Sequence, residues 1–267
     1  MTPERERLTI GIVTYRSAGL VETAVLSALA AMPEDVDGRV ILIDNQSPDD
    51  TAQVNARLAA GDPRVTAVVN DSNAGFGGGH NKILAMVDST WHVFCNPDIT
   101  VMPGALDALV NVLRHQPDVA IVSPRVHFED GRLQPLNRRP PTLWDLFLRR
   151  FMPRPLRPVF RKRMERYEML DVGYDKPCDV PFSSGAFMAC RTGALKAVGG
   201  FDERYFLYFE DADLSRALQR AGWRTIYCPD ALVLHGWQRE AHKSLSGVLN
   251  FIRSAARYFN KWGWRLF

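Results

Sequence analysis

Two hydrophobic rhythms alternate along the first half of the chain. Leu8 to Tyr15 is a β-branched run, and Gly19 to Met32 carries apolar residues at helical spacing. The pair then recurs: Val40 to Asp44 reads as a buried strand, Thr51 to Ala60 as a helix, Val65 to Asn70 as a strand, Phe76 to Val87 as a helix and His92 to Cys95 as a strand. Pro103 suits the first turn of a helix running to about His115, where its missing N–H costs nothing, and Val119 to Pro124 ends the series. Strands alternating with amphipathic helices predict βαβ units. The expected class is therefore α/β, a mostly parallel Rossmann-like sheet flanked by helices. Ligands of such sheets sit beyond the carboxyl ends of the strands, so Thr14, Asp44, Asn70 and Asn96-Pro97-Asp98, all at strand exits, are the polar residues to weigh.

From about His127 to Lys176 the rhythm gives way to Pro and Arg, which predicts an insertion or mobile loop rather than core. A second block starts at Val180 and runs through Gly185, Gly200 and the acids Glu210-Asp211-Ala212-Asp213 to a strand ending at His235. Lys243 to Trp262 predicts an amphipathic helix: Leu245, Val248, Leu249, Ile252, Ala256 and Phe259 form one stripe, while Arg253, Arg257 and Lys261 recur on another. With Trp264 beyond it, this stretch of 243–264 suits the interface of an anionic membrane. Packing on the rest of the chain, or on a second subunit in a homodimer, is the alternative.

Composition narrows the picture. With 46% hydrophobic and 24% charged residues in 267, the chain can fill one large globular core. No apolar run approaches the ~20 residues of a spanning helix, and Met1 to Arg7 lacks the apolar stretch of a secretory signal; a cytoplasmic location is expected. Cys95, Cys178, Cys190 and Cys228 form no CxxC pair, which favours buried thiols over a zinc knuckle or disulfide framework. The net charge of +3 is uneven, since Arg138 to Arg166 holds ten Lys and Arg against Asp145 and Glu165. Such a patch attracts phosphates of lipid headgroups, lipid-diphosphate acceptors or nucleic acid. No RNA- or DNA-binding motif accompanies it, so no nucleic-acid partner is expected.

Four groups of residues suggest chemistry. Asp44, at a strand mouth, can accept the imide N–H of a uracil or thymine ring, whereas Asp49 or Asp50 suits a helix cap. Asn73-Ala74-Gly75-Phe76-Gly77-Gly78-Gly79-His80-Asn81 could bring backbone N–H groups to a diphosphate at a helix start, or could be a turn into a closely packed helix. Asp98 could share a divalent cation with His235; carboxylate, imidazole and diphosphate oxygens suit Mg²⁺ or Mn²⁺. Glu210, Asp211 and Asp213 open a helix behind Tyr205-Phe206-Leu207-Tyr208-Phe209. The macrodipole accounts for one or two of these acids, and an apolar wall would raise a carboxylate's basicity as a general base needs.

Taken in order, Ile12-Val13-Thr14-Tyr15, Ile43-Asp44-Asn45-Gln46-Ser47, Asn73-Ala74-Gly75-Phe76-Gly77, Asn96-Pro97-Asp98, Ser184-Gly185-Ala186-Phe187, Gly199-Gly200-Phe201-Asp202 and Glu210-Asp211-Ala212-Asp213 resemble the inverting GT-A glycosyltransferases of the large family 2 type, most of all bacterial rhamnosyltransferases of O-antigen and other cell-surface polysaccharide assembly. The resemblance implies a GT-A fold with a C-terminal amphipathic helix, a nucleotide-diphosphate sugar donor such as dTDP-L-rhamnose, and a saccharide or lipid-linked saccharide acceptor at the inner face of the plasma membrane. It implies that Thr14, Tyr15 and Asp44 line the nucleoside pocket, and that Asn73, Gly75, Asn81 and Asn96 lie along the donor. Asp98 and His235 fall on metal-binding positions, Asp211 on the catalytic base and Glu210 on its acidic neighbour. Asn96 departs from the pattern, standing where many members carry the first acid of a DxD motif. The implied organisation is a catalytic domain over 1–236, divided into a nucleotide-binding half (1–126), a basic insertion (127–178) and an acceptor half (179–236), with a helical tail over 237–267. Three other readings compete: a UDP-sugar transferase, a nucleotidyltransferase, for which Thr14 to Leu20 offers only Arg16 as a phosphate grip, and a nucleotide- or saccharide-binding protein with a degenerate site.

Overall fold

The structure, a computed structural model, describes residues 5–236 and 245–267. Lys243 and the side chain of Leu245, named above for the C-terminal helix, lie outside the described residues. In chain order the elements are β1 (Arg7–Thr14), α1 (Val21–Ala30), β2 (Asp37–Asp44), α2 (Thr51–Gly61), β3 (Val65–Val69), α3 (Gly75–Met86), β4 (Trp91–Cys95), β5 (Ile99–Val101), α4 (Ala105–His115), β6 (Val119–His127), β7 (Asn137–Arg138) and α5 (Leu143–Phe151). After a 3₁₀ turn at Arg154–Phe160 come α6 (Arg161–Tyr167), β8 (Cys178–Asp179), β9 (Phe182–Ser183), β10 (Phe187–Arg191), α7 (Thr192–Ala197), α8 (Glu210–Arg220), β11 (Arg224–His235) and α9 (Leu245–Trp262).

The main sheet runs β3-β2-β1-β4-β10-β6-β11-β5, with β8 added beside β11. Its first four strands pair in parallel, as the βαβ rhythm requires. The second block then enters the sheet: β10 lies antiparallel between β4 and β6, β11 pairs in parallel with β6, and the short β5 pairs antiparallel with β11. Helices cover both faces. Leu8, Ile10, Ile12, Val40, Leu42 and Val93 pack towards α1 and α4, and Phe94, Ile121 and Met188 face Leu84 of α3 and Leu214 and Leu218 of α8. Three cysteines, Cys95, Cys190 and Cys228, are buried thiols, and Cys178 is half-buried.

Three local expectations change. Pro103 does not open α4; Gly104, at φ 76°, stands between it and the helix. The Pro/Arg-rich stretch is not a loop. Thr142 and Asp145 form a reciprocal capping box at the start of α5, Arg163 of α6 reaches the same carboxylate at 2.7 Å, and Arg138 is buried with Glu168 3.6 Å away. Charges that look like a solvated run are thus partly consumed in holding the segment together. The C-terminal helix packs on the domain through a face offset from the stripe read in the sequence: Ala255, Tyr258 and Phe259 pack with Leu146, Tyr205, Phe209 and Ala212, whereas of the stripe's described members Phe259 alone is buried, Val248 and Ala256 are half-buried and Leu249 and Ile252 are exposed. Buried Asp213 fastens it: Lys261 donates to that carboxylate at 2.8 Å, Trp262 Nε1 at 2.7 Å and the Tyr205 hydroxyl at 3.3 Å. Among the described residues no helix is long and apolar enough to cross a membrane.

Beneath α3 lies an aromatic cluster of Phe76, His80, Phe94, His92 and Phe201, with ring centroids 4.5–4.9 Å apart along the path Phe76–His80–Phe94–His92. Both imidazoles are fully buried, and none of their nitrogens finds a hydrogen-bond partner among the described residues. Burial drives both rings toward the neutral form, His92 down to about 3 and His80 well below 6.5, the latter helped by His92 itself. An unfolded histidine binds its proton below ~6.5, so the fold has this stability in full above that pH and loses it as pH falls toward the folded values. Each ring should cost about 1.4 kcal/mol per pH unit below 6.5. Urea unfolding between pH 7 and pH 5 measures the slope, and His80→Gln or His92→Gln should each flatten it by that amount; a slope indifferent to both would remove the histidines as its cause.

Candidate active site

At the carboxyl edge of the parallel strands, Thr14 and Asp44 stand side by side in register. Both are buried. Asp44 accepts the Thr14 hydroxyl at 3.2 Å, the Ser47 N–H at 2.8 Å and the Ser47 hydroxyl at 2.5 Å. Of the ~four lone-pair sites of a carboxylate, about one is left for an incoming donor. Asn55 of α2 donates to the Thr14 hydroxyl at 3.0 Å, so the pair is fixed from behind. Tyr15, the next residue, is 45% exposed and its ring lies open at the strand exit.

The glycine-rich stretch resolves in favour of close packing. It is helix α3 almost from its start, and Asn73 accepts the Gly75 N–H at 3.0 Å at the turn into it. Gly75 has φ +73°, and a Cβ there would stand 2.2 Å from the carbonyl oxygen of Phe206; only glycine tolerates both. A Cβ on Gly79 would meet Val13 of β1 at 2.7 Å, and one on Gly77 would meet Phe201 at 2.9 Å. Asn81 is half-buried and engaged within the chain. Its amide donates to the Phe201 carbonyl at 2.8 Å and accepts the Phe201 N–H at 2.8 Å, which spends it on clamping the Gly199-Gly200-Phe201 turn. A polar relay that the sequence did not signal runs from Lys82 to Asn70 (2.6 Å), on to Asn45 (2.7 Å) and then to the Gly75 carbonyl (2.9 Å).

Asp98 and His235, 137 positions apart, meet where the turn after β4 passes the end of β11: His235 Nε2 lies 3.4 Å from Asp98 Oδ1, and the Gly236 N–H donates to the Asp98 carbonyl at 2.9 Å. The other ring nitrogen, Nδ1, is 2.9 Å from Gln134 Oε1. With Nδ1 donating to Gln134, a neutral ring aims its Nε2 lone pair at the Asp98 carboxylate. Two lone pairs at that distance repel unless a cation, proton or metal, lies between them. The separation is one that two ligands each ~2.1 Å from a single cation can span, and Gln134 would act as the outer partner that sets the tautomer. The pair fits a divalent ion whose remaining ligands come from elsewhere, since no group of three or more His, Cys, Asp or Glu that could hold a metal occurs among the described residues.

Glu210 and Asp211 open α8, after Tyr208 and Phe209 bring the chain round with φ 71° and 68°. Asp211 accepts the Gly185 N–H at 2.9 Å and the Ala212 N–H at 2.8 Å. Burial raises its pKa, and those two N–H groups with nearby Arg149 hold the rise back. Glu210 is 6% exposed, and its Oε2 meets no donor among the described residues. Burial first, and the Asp211 charge second, push its pKa well above the ordinary carboxylate range. Burial thus disfavours the charged form of both acids, more strongly for Glu210, and makes each a stronger base than a solvated carboxylate. Asp213, the third acid of the motif, belongs to the α9 anchor instead.

Gly185 and Ala186 join the two acidic centres. The Asn96 N–H donates to the Ala186 carbonyl at 2.9 Å, one residue from the N–H that holds Asp211, so the Asn96-Pro97-Asp98 turn and the start of α8 flank one short segment. The structure thus gathers Asn96, Asp98, His235, Glu210 and Asp211 around it, with Thr14, Tyr15 and Asp44 along the same strand edge. Gln134 lies in the stretch read as a loop and carried no signal. Gly185 stood inside a recognised motif, but its backbone role needs the three-dimensional path.

Residues 9–199 match the family described as Glycosyl transferase family 2. Over 244 residues the chain is 32% identical to the N-acetylglucosaminyl-diphospho-decaprenol L-rhamnosyltransferase of Mycobacterium tuberculosis, covering 85% of this chain and 75% of that protein. It is 34% identical over 80 residues to Rhamnosyltransferase WbbL of Escherichia coli K12, 30% of each chain. The fold is similar to that of a mannosyltransferase from Pyrobaculum calidifontis solved with GDP-Man and Mn2+, with a TM-score of 0.67 at 19% identity; the match covers 97% of this chain and 65% of that one.

The neutrality of Glu210 is testable without an assay of turnover. A carboxyl group whose folded pKa is raised contributes stability below its unfolded value, which is lost as pH rises. Glu210→Gln, neutral at every pH, should therefore unfold at higher urea than the parent at pH 8, with the gap closing toward pH 4.5. A variant less stable than the parent at pH 8 would mean that Glu210 is ionised in the fold.

Proposed function

The chain belongs to glycosyl transferase family 2, and on that premise we propose that it is an inverting, metal-assisted rhamnosyltransferase, moving L-rhamnose from dTDP-L-rhamnose onto a hydroxyl of a lipid-linked cell-surface saccharide. The observation that carries this reading is the short Gly185-Ala186 segment, with an ionisable base on one side and the Asp98–His235 pair on the other. The mycobacterial relative named as a rhamnosyltransferase supports the choice of sugar. We assign 1–126 to donor binding, 127–178 to a folded basic insertion, 179–236 to the acceptor half and 237–267 to a helical tail. The enzyme works in the cytoplasm, peripheral to the inner face of the plasma membrane, where a lipid-linked acceptor is held.

In this reading Asp44 receives the imide N–H of the base, Thr14 keeps its carboxylate oriented, and Tyr15 offers its ring to the nucleoside. Asn73 and Gly75 shape the turn beside the donor. Asp98 and His235, with donor diphosphate oxygens, would hold Mg²⁺ or Mn²⁺, which when bound would supply positive charge next to the diphosphate. Gln134 keeps the imidazole in the ligating tautomer. Asn96, neutral where an acid is usual, lowers the negative charge next to the diphosphate and makes metal binding depend more on the donor. Asp211 takes the proton of the acceptor hydroxyl while the new C1–O bond forms and the bond to the diphosphate breaks, an event with oxocarbenium character. Glu210 stays protonated and adds no charge to repel the incoming oxygen. One displacement from the opposite face inverts the anomeric centre.

Asp44 would serve uracil as well as thymine, which keeps a UDP-sugar donor as the second reading. Thermal shift of the purified protein against dTDP, UDP, GDP and CMP, with and without Mn²⁺, separates them, because a ligand of the native state raises its apparent stability with affinity. A Mn²⁺-dependent rise greatest for dTDP is expected. A UDP preference would remove the rhamnose donor, and no response to any nucleotide would remove the transferase.

Asp211→Asn should lower turnover by about 10²–10⁴, the usual worth of a general base, while the nucleotide-induced shift persists. Retained turnover would take the base role from Asp211.

A further inference from the structure

One face of α5 carries a row of aromatic rings that the fold does not cover. Leu146 and Leu148 are buried, while Trp144, Phe147 and Phe151, at i, i+3 and i+7, share one side of the helix, away from Leu146. Trp144 stacks on Phe147 with centroids 5.3 Å apart and planes 14° from parallel, and Phe147 lies 6.1 Å from Phe151. Phe160, from the end of the 3₁₀ turn, packs edge-on to Trp144 at 5.9 Å, and C-terminal Phe267 approaches it at 6.3 Å. The last residues are laid down deliberately: the N–H groups of Leu143 and Trp144, unpaired inside their own helix, donate to the carbonyls of Arg265 and Leu266. The row is nevertheless open, with Phe147 43%, Phe151 48% and Phe267 82% exposed, and the adjoining turn adds exposed Leu156 and Val159.

Basic side chains border this apolar ridge. Arg157, Arg161 and Lys162 are exposed beside it; Arg161 pairs with Glu165 at the surface at 3.4 Å, while Arg157 and Lys162 form no ion pair with a described carboxylate. Asp145 is paired with Arg163 and Glu168 with Arg138, so the segment's acids leave a net positive charge at Arg157 and Lys162. A row of exposed rings and aliphatic side chains flanked by cations matches a layer of anionic headgroups over acyl chains, where rings settle at the boundary and basic side chains meet phosphate.

We propose that this α5 ridge, with Phe160, Phe267 and the basic turn beside it, docks the protein on the surface of an anionic phospholipid bilayer. The C-terminal helix, which the sequence nominated for that role, packs on the domain through Ala255, Tyr258 and Phe259; among its described residues Leu249 and Ile252 stay exposed, as does Trp264 beyond it. The inference goes beyond the catalytic reading and can fail separately from it, because vesicle binding is read without turnover.

The test is co-sedimentation of the full chain with vesicles of phosphatidylcholine alone and of phosphatidylcholine mixed with phosphatidylglycerol, at low and high salt. Expected are binding to the anionic vesicles only, weakening with salt, and about a tenfold or greater loss for Phe147→Ser combined with Phe151→Ser, two half-exposed rings whose insertion is lost. Arg157→Glu with Lys162→Glu should remove the preference for anionic lipid. All four side chains are exposed, and an unchanged melting temperature verifies that the variants fold. Equal binding to neutral vesicles, no effect of these variants, or a loss confined to Leu249→Ser with Ile252→Ser would overturn the proposal. So would a dimer that the Phe147/Phe151 variant converts to monomer, since a second copy would then be the occupant.

Discussion

The site depends on how β10 enters the sheet. A strand running antiparallel between β4 and β6 delivers Gly185 and Ala186 beside the exit of β4, and two backbone hydrogen bonds do the rest: Asn96 N–H to the Ala186 carbonyl, and Gly185 N–H to the Asp211 carboxylate. Through them a turn from the first hundred residues and a helix start more than a hundred residues later are held within one short segment. Rigid sheet geometry, rather than the side chains themselves, sets their separation. Carried on element ends, these side chains are held by the sheet's own framework.

The parallel half was legible because its signals are local. Strand runs, helix periodicity and polar exits repeat within windows of about fifteen residues, and register then puts Thr14 beside Asp44 without further information. The pairing of Asp98 with His235 was legible through motif order, since no local pattern joins positions so far apart. The glycine run left two readings open. Three of its glycines exist for neighbours that only tertiary structure reveals, namely Val13, Phe201 and the Phe206 carbonyl. Asn81, which the resemblance places along the donor, has local partners in the Gly199-Gly200-Phe201 turn that no sequence pattern names. The stretch after His127 hid its order because Pro and Arg are read as breakers and solvated charge, whereas here Thr142 and Asp145 cap a helix and arginines return to bond carboxylates and carbonyls nearby.

The acids of α8 divide their labour by environment alone. Four neighbouring positions include a carboxyl whose charged form burial disfavours, a carboxylate steadied by two N–H groups, and a third buried with an ammonium, an indole and a phenol as donors. Same residue types, close in sequence, end with different charge states because helix geometry aims successive side chains in different directions. The third of them is what fastens the C-terminal helix to the catalytic body. Its compensation is nearly complete, as a buried anion requires.

That anchor bears on how such chains diversify. Lys261 and Trp262 neutralise a charge two positions from Asp211, so the terminal helix cannot be exchanged like a detachable module. A lineage that replaced it would need a new cation and indole at matching points, or a simultaneous change at Asp213. Variation in the tail is therefore tied to the helix it touches, and a graft that respects only its hydrophobic stripe would leave an orphaned negative charge two positions from Asp211.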